Sequence, residues 1–334
     1  MPRVSVLLPA RNAAGTLLPA LRSILRQTLR DLELVAVDDG STDGTPAILA
    51  EAAAADGRVR VIRGPGQGIV AALEAGRAVC SGAYVARMDA DDVAHPLRLA
   101  EQIARLDEDA SLDGLGCNVS MFPAQQVGEG MRRYVGWINS LHDADDVARE
   151  RFVESPLVHP AVVLRARALE AVGGYVERGW PEDYDLWLTL LGSGARLANL
   201  PAVRLFWRDH GTRLTRTDPR YGKAQHLALK ARHLAAGPLA ERRSCAIWGA
   251  GKTGRALARA LEAEGIAVEY WVDVDPAKIG RLRRGVPVLG AGELPPPGGP
   301  LLLSAVAARG ARAEIRADLQ KSGWREGRDY LLCW

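Results

Sequence analysis

The sequence predicts an α/β protein in two parts: an open, mostly parallel sheet with flanking helices over residues 1–241, and a smaller α/β domain over residues 242–334. Three observations predict it. Short apolar runs alternate with stretches of helical spacing from Val4 to Met88, the pattern of strand–helix–strand units on a parallel sheet. Polar loops follow those runs at Pro9, Asp38 and Asp89, and ligands of such sheets sit outside the carboxyl ends of the strands. The alternation restarts after Gly237-Pro238, where Ser244 to Trp248 leads into Gly249-Ala250-Gly251-Lys252-Thr253-Gly254.

Length and composition set the bounds. A chain of 334 residues suits two domains of roughly 100 to 200 residues each. The net charge of +3 is weak for this size and does not call for nucleic acid, although basic residues gather between Arg204 and Arg220. Cys80, Cys117, Cys245 and Cys333 lie far apart and form no CxxC pair. That argues against a zinc site or a disulfide framework and fits a reducing compartment. No signal-peptide pattern precedes Val4, and no apolar stretch approaches the ~20 residues of a membrane span. The expectation is a soluble, cytoplasmic protein, at most peripheral at the inner face of a membrane.

The elements follow in order. Val4-Ser5-Val6-Leu7-Leu8 reads as a buried first strand stopped by Pro9, with Pro9-Ala10-Arg11-Asn12 as its loop. Thr16 is placed to cap a helix carrying Leu17, Leu18, Leu21, Ile24 and Leu25 at helical spacing. Leu32 to Val37 is the second strand and ends in Asp38-Asp39-Gly40-Ser41-Thr42-Asp43-Gly44. Thr45 and Pro46 suit the N-cap and first position of a helix through Ala55. Val59 to Arg63 is the third strand, and Gly64-Pro65-Gly66-Gln67-Gly68 turns into a helix through Val79. Ala83 to Met88 is the fourth strand.

That strand opens onto Met88-Asp89-Ala90-Asp91-Asp92. Three carboxylates in four positions repel one another. A hard divalent cation, Mg²⁺ or Mn²⁺, relieves the repulsion, since it takes oxygen ligands and bridges carboxylates to substrate phosphates. A solvated Asp-rich turn is the plainer alternative. Pro9-Ala10-Arg11-Asn12, Val37-Asp38-Asp39-Gly40-Ser41-Thr42-Asp43 and Met88-Asp89-Ala90-Asp91-Asp92 resemble, in that order and at those spacings, the signatures of family 2 glycosyltransferases of the GT-A fold. The resemblance implies that Pro9, Arg11, Asn12, Asp38 and Asp39 lie in loops holding a nucleotide base and ribose. It implies that Asp89 and Asp91 hold the ribose and the metal bound to the diphosphate.

Beyond residue 107 the periodicity weakens. A strand is expected within Ser111 to Phe122, Gln125 to Arg149 carries no assignment, and Pro160 to Leu164 is a strand followed by a short helix that Gly173-Gly174 ends. Trp180-Pro181-Glu182-Asp183-Tyr184-Asp185-Leu186-Trp187 opens an amphipathic helix. Helical spacing puts Asp183 on the inward face with Leu186 and Trp187 and turns Asp185 away. Glu182 and Asp183 also complement a helix N-terminus. The run Val172-Gly173-Gly174-Tyr175 followed by Glu182-Asp183 is similar to the family's second half, which implies that Asp183 is the catalytic base. Leu205 to Arg208 reads as a strand, and Arg208-Asp209-His210 resembles the family's late motif, which implies that His210 approaches the metal or diphosphate. Where the family has small polar residues this chain has Thr212-Arg213-Leu214-Thr215-Arg216. Tyr221 to Ala236 reads as a helix, broken by Gly237-Pro238.

In the second part the glycine run fits GxGxxG between a strand and a helix, Arg255 to Glu264. Ala267 to Val272 is the next strand, and Asp273 lies about 20 residues past the loop, the place of a ribose-binding acid. Gly249, Gly251, Gly254 and Asp273 are therefore candidates for binding NAD(P). Ala246, where a Walker A loop needs Gly, excludes that motif. Leu301 to Ala305 and Ala311 to Lys321 read as a strand and a helix. About 90 residues make only half of a doubly wound fold, and no hydride-transfer machinery is evident. The domain is similar to the small Rossmann-like domains that accompany some sugar-modifying enzymes. The glycines serve equally to let strand and helix pack closely.

The function expected is an inverting, metal-dependent transfer from a nucleotide-diphosphate sugar, a UDP-sugar first, to a hydroxyl of a saccharide or lipid-linked saccharide in glycan biosynthesis. One alternative is a nucleotide- or dinucleotide-binding enzyme whose chemistry lies in the C-terminal domain. Another is a non-catalytic nucleotide-sugar binding protein on the same scaffold.

Overall fold

Val4–Ala10 is buried at every position, as a strand covered on both faces must be. It is β1, the centre of the first sheet in a computed structural model that describes residues 1–334. Contacts divide the chain into Met1–Ala148 with Pro156–Asp218, and Arg149–Ser155 with Pro219–Trp334. In the first unit β1 is followed by α1 (Leu17–Leu25), β2 (Leu32–Asp38), α2 (Thr45–Ala55), β3 (Val59–Arg63), α3 (Ile69–Arg77), β4 (Tyr84–Arg87), β5 (Val93–Ala94), α4 (Arg98–Glu108) and β6 (Gly114–Phe122). Then come α5 (Glu129–Ile138), α6 (Ala144–Glu150), β7 (Val163–Arg165), α7 (Ala166–Ala171), α8 (Glu182–Gly192), β8 (Leu197–Arg208) and α9 (Leu214–Thr217).

The strands form one sheet in the order β3-β2-β1-β4-β7-β6-β8-β5. The β3-β2-β1-β4 half is parallel. Alternate side chains enter opposite faces. Val4, Val6 and Leu8 meet Leu17, Leu21 and Leu34 in one core, whereas Leu7 joins Val35, Val37, Leu73, Leu186 and Trp187 in another. Each fully buried Leu contributes roughly 1.5–3 kcal/mol.

Several local expectations are corrected. Pro9 does not stop β1: it pairs in register with Val37. The last β1–β4 pair is Leu7 with Arg87, so the missing N–H of Pro9 falls beyond the end of β4 and breaks no ladder bond. Neither expected threonine cap forms. Thr16 makes no side-chain cap on α1, and Thr45 is itself helical, its amide donating to Asp43 Oδ1 at 3.0 Å. Pro160 lies in a single turn, His159–Ala161, ahead of β7. β7 runs antiparallel to β4 and to β6, so the sheet is mixed. Gln125 to Arg149, which carried no assignment, contains α5 and α6. In α5 Ile138 is buried, and Met131, Tyr134 and Val135 pack half-buried against the same core.

The second unit contains α10 (Lys223–Ala236), β9 (Ser244–Trp248), α11 (Lys252–Ala263), β10 (Ala267–Asp273), β11 (Leu282–Arg283), β12 (Val286–Gly290), β13 (Leu301–Ser304), α12 (Ala311–Lys321) and β14 (Tyr330–Leu332). Its sheet order is β11-β12-β10-β9-β13-β14. All pairs but β11–β12 are parallel, the strand order of a doubly wound sheet. Arg149–Ser155 belongs to this unit although it comes from mid-chain. Glu150 is buried and meets Arg312 at 3.2 Å and Arg316 at 2.5 Å. The buried Lys230 donates to Val153 O at 2.8 Å.

Removing one partner of a buried ion pair leaves the others uncompensated. Glu150→Ala should therefore destabilise the second unit by about 2 kcal/mol, with the partly exposed arginines keeping the loss below that of a fully buried pair. Faster amide hydrogen exchange over α12 would report it; unchanged exchange there would show that the pair contributes nothing.

Candidate active site

The carboxyl ends of β1, β2 and β4 lie side by side through the register of the sheet, with Ala10 opposite Asp38 and Leu7 opposite Arg87. The loops leaving these ends are cross-linked. Asn12 takes a left-handed backbone, φ 51°. Its Oδ1 accepts the Thr42 amide at 2.8 Å, and its own amide donates to Ser41 Oγ at 2.9 Å. Asp38 Oδ1 accepts the Ser41 amide at 3.1 Å. Asp39 is buried and accepts the amides of Gly66 and Gly68 at 2.8 and 2.9 Å, which pins the glycine-rich turn after β3. Arg11 is exposed, 3.9 Å from Asp39. The structure thus brings Arg11, Asn12, Asp38 and Asp39 to one edge, but it commits the oxygens of Asn12 and Asp39 to building loops.

The acidic stretch after β4 gathers as expected. Carboxylate oxygens of Asp89, Asp91 and Asp92 lie within 4.8 Å of one another. Asp92 is buried; its Oδ1 accepts the Arg208 amide at 2.7 Å, and its Oδ2 has no hydrogen-bond partner. Burial and the charges of Asp89 and Asp91 push the Asp92 carboxyl well above its ordinary range. Burial, then Asp89, pushes Asp91 up as well. An orphaned buried oxygen amid all-oxygen donors fits a hard divalent cation. His210 comes to the same place from the end of β8, its Nε2 2.7 Å from Asp91 Oδ2. Beside it Asp209 is fully buried and meets Arg216 at 2.6 Å, so the basic residues in place of small polar ones anchor this loop.

At the start of α8 the inward-face expectation is corrected. Glu182 and Asp185 are the buried acids, and Asp183 is the partly exposed one. Asp185 is not turned to solvent, because α8 is buried on most of its circumference; its carboxylate pairs with Arg178. Asp183 Oδ1 accepts the Tyr184 amide at 2.8 Å. Burial and the neighbouring Glu182 push the Asp183 carboxyl up to about 8. Around this pair stand groups that the sequence reading did not single out. His159 is buried, 3.8 Å from Glu182 and 3.0 Å from the Tyr175 hydroxyl, with Trp187 edge-on. Burial, and then Arg87, lower its pKa well below the usual histidine range, which keeps it neutral. Arg87, the last residue of β4, is buried and donates to Asp89 Oδ1 at 2.5 Å. Its one visible signal was an arginine inside an apolar strand.

In the second unit the glycines act within the fold. A Cβ on Gly254 would stand 1.9 Å from Gly249 O, and Gly249 has φ +114°. Asp273 is buried, and its Oδ2 accepts the Ala250 amide at 2.9 Å. Its Oδ1 accepts the Asp275 amide at 3.0 Å, and Lys278 Nζ approaches Oδ2 to 3.1 Å. The acid expected on a ribose is occupied by its own loops, and nothing at this loop supports NAD(P). Gly251 has open space around it.

The glycosyl transferase family 2 model matches residues 5–168. An uncharacterized glycosyltransferase of Haemophilus influenzae is 30% identical over 216 residues, 63% of this chain and 66% of that protein. The putative glycosyltransferase EpsE of Bacillus subtilis is 32% identical over 204 residues, 60% of this chain and 70% of that protein. The chain therefore spans only part of these relatives' lengths. Among solved structures, S. aureus TarS 1–349 in complex with UDP-GlcNAc is similar in fold, with a TM-score of 0.58 at 18% identity over 78% of this chain and 71% of that one. No helix is long and apolar enough to cross a membrane.

The packing at Gly254 has a direct consequence. Gly254→Ala forces backbone apart and should cost at least about 2 kcal/mol, whereas Gly251→Ala should leave the thermal midpoint within a degree or so of the parent. Equal midpoints for both variants would contradict the close approach.

Proposed function

This chain belongs to the family 2 glycosyltransferases, and we propose that it moves a sugar, with inversion, from a UDP-sugar to a hydroxyl of a saccharide or lipid-linked saccharide in a metal-dependent reaction. The observation that carries this reading is the acidic cluster Asp89, Asp91 and Asp92, with His210 against it, at the edge of the sheet on which α8 packs. The choice of UDP rests on the likeness to a fold that binds UDP-GlcNAc. Transfer is assigned to the first unit, within residues 1–241, and the second unit, which holds all of residues 242–334, is given a non-catalytic role because Asp273 is committed to its own loops.

Pro9, Arg11, Asn12, Asp38 and Asp39 would form the wall for base and ribose, and Asp89 would meet the ribose. Asp91 and His210 would hold Mn²⁺ or Mg²⁺, which when bound supplies a Lewis acid for the leaving diphosphate. Asp183 takes the proton of the attacking hydroxyl. A raised pKa suits that task, because a stronger base accepts the proton more readily once ionised. The acceptor attacks the anomeric carbon from the face opposite the diphosphate, so one displacement inverts it.

The metal role is tested by calorimetry with UDP. Affinity should rise with Mn²⁺ and lose that rise in Asp91→Asn; equal affinity in EDTA would remove the metal from the reading.

The base is tested by Asp183→Asn, which keeps shape but cannot accept the proton. Transfer should fall by ~10²-fold or more, with UDP affinity little changed. The carboxyl is active when ionised, so in the parent kcat/KM should climb as pH rises through about 8 and fall away below it. A pH-independent rate from 6.5 to 9, or an active Asp183→Asn beside a dead Glu182→Gln, would sink the assignment.

A further inference from the structure

We infer that Arg87 is a positioning residue for transfer: it is the buried cation that sets the direction of Asp89. The inference rests on the donor-site reading of Asp89 and Asp91. Arg87 and Asp89 are two residues apart at the end of an extended strand, so their side chains leave the same side. Arg87 Nη1 donates to Asp89 Oδ1 at 2.5 Å, and the arginine side chain is only 6% exposed against 32% for the aspartate. One carboxylate oxygen is thereby committed to protein and the exposed group keeps the other for a ligand.

The backbone at Arg87 is held on both of its polar groups. The Arg87 amide donates to Val162 O at 2.9 Å. Its carbonyl accepts Arg98 Nη2 at 2.9 Å. Arg98 is fully buried and donates from Nε to Gln102 Oε1 at 3.1 Å, and Gln102 donates to Leu115 O and Ala161 O at 2.7 and 2.8 Å. This frame reaches β6 and the turn before β7, so residue 87 cannot shift without breaking a buried polar network.

Arg87 Nε is buried without a hydrogen-bond partner, so local bonds alone do not satisfy the group. Its charge is offset by Asp89 first, and the field of Glu182 adds to that. A guanidinium taken out of water costs several kcal/mol unless carboxylates surround it. Here they stand on two elements, the loop after β4 and the start of α8. An apolar residue at 87 would leave Asp89 repelled by Asp91 and Asp92.

The test uses the full chain with UDP and Mn²⁺ as probes, titrated separately and together, for Arg87→Lys and Arg87→Met in the parent and in Asp89→Asn. Lysine keeps the charge and the fold but not the directed fork. The expected result is a loss of about tenfold or more in the Mn²⁺-dependent part of UDP affinity, the size of one charge-assisted hydrogen bond, with Mn²⁺-independent UDP binding and the thermal midpoint of Arg87→Lys near parental. In the Asp89→Asn background the lysine change should add less than about threefold, the non-additivity expected of residues acting through one another. A full additional loss in that background overturns the role. Parental binding by both Arg87 variants, with Asp89→Asn impaired, also overturns it and leaves the donor site standing. Parental binding by Asp89→Asn removes the donor site and this role with it.

Discussion

The structure depends on how it tolerates crowded negative charge at one edge of a sheet. Two carboxylates 5 Å apart repel by about 3 kcal/mol at an effective dielectric of ~20, and Asp89, Asp91 and Asp92 lie closer than that. The chain answers with polar groups placed from different elements. Arg87 meets Asp89, His210 meets Asp91, and the Arg208 amide meets Asp92. The compensation is incomplete, since Asp92 keeps an oxygen with no partner. An incomplete shell is what a cation-binding site needs, because a fully satisfied one would gain nothing from the ion.

The surrounding loops are rigid for a related reason. Backbone amides at the ends of β2 and β3 would be orphaned without acceptors. Asp39 accepts two of them from the Gly66–Gly68 turn, and Asn12 accepts the Thr42 amide. These side chains therefore shape the edge more than they reach out of it. Arg11 and Asp38, less buried, are the ones left facing the opening. Preorganisation of this kind lets a ligand bind without first ordering the loops.

The second unit uses the same device for a different end. Asp273 accepts amides from its own glycine loop and from Asp275, and a Cβ at Gly254 would strike Gly249 O. A motif that reads as a phosphate cradle is here a packing joint. The segment Arg149–Ser155 adds to that unit through Glu150 and Val153, which means that the unit's core draws on residues from two distant parts of the chain.

Apolar runs between polar loops determined the parallel half of the first sheet: β2 and β3 end within a residue of where the sequence places them, and β9 and α12 coincide. The order of the Pro9, Asp38 and Asp89 loops determined the family and the edge at which they meet. Periodicity records which face of an element avoids water, so it works where one element is amphipathic by itself. It says nothing of partners across space. Tertiary structure alone decided that β7 runs antiparallel, that Asp185 is fully buried while Asp183 is only half-buried, and that Asp273 is occupied at home. It also decided that His210, 119 residues along the chain, comes to Asp91, and that Arg87 meets both Asp89 and the field of Glu182. Each of these is settled by charge and hydrogen-bond pairing between elements, and burial makes such pairing obligatory only after the elements have packed.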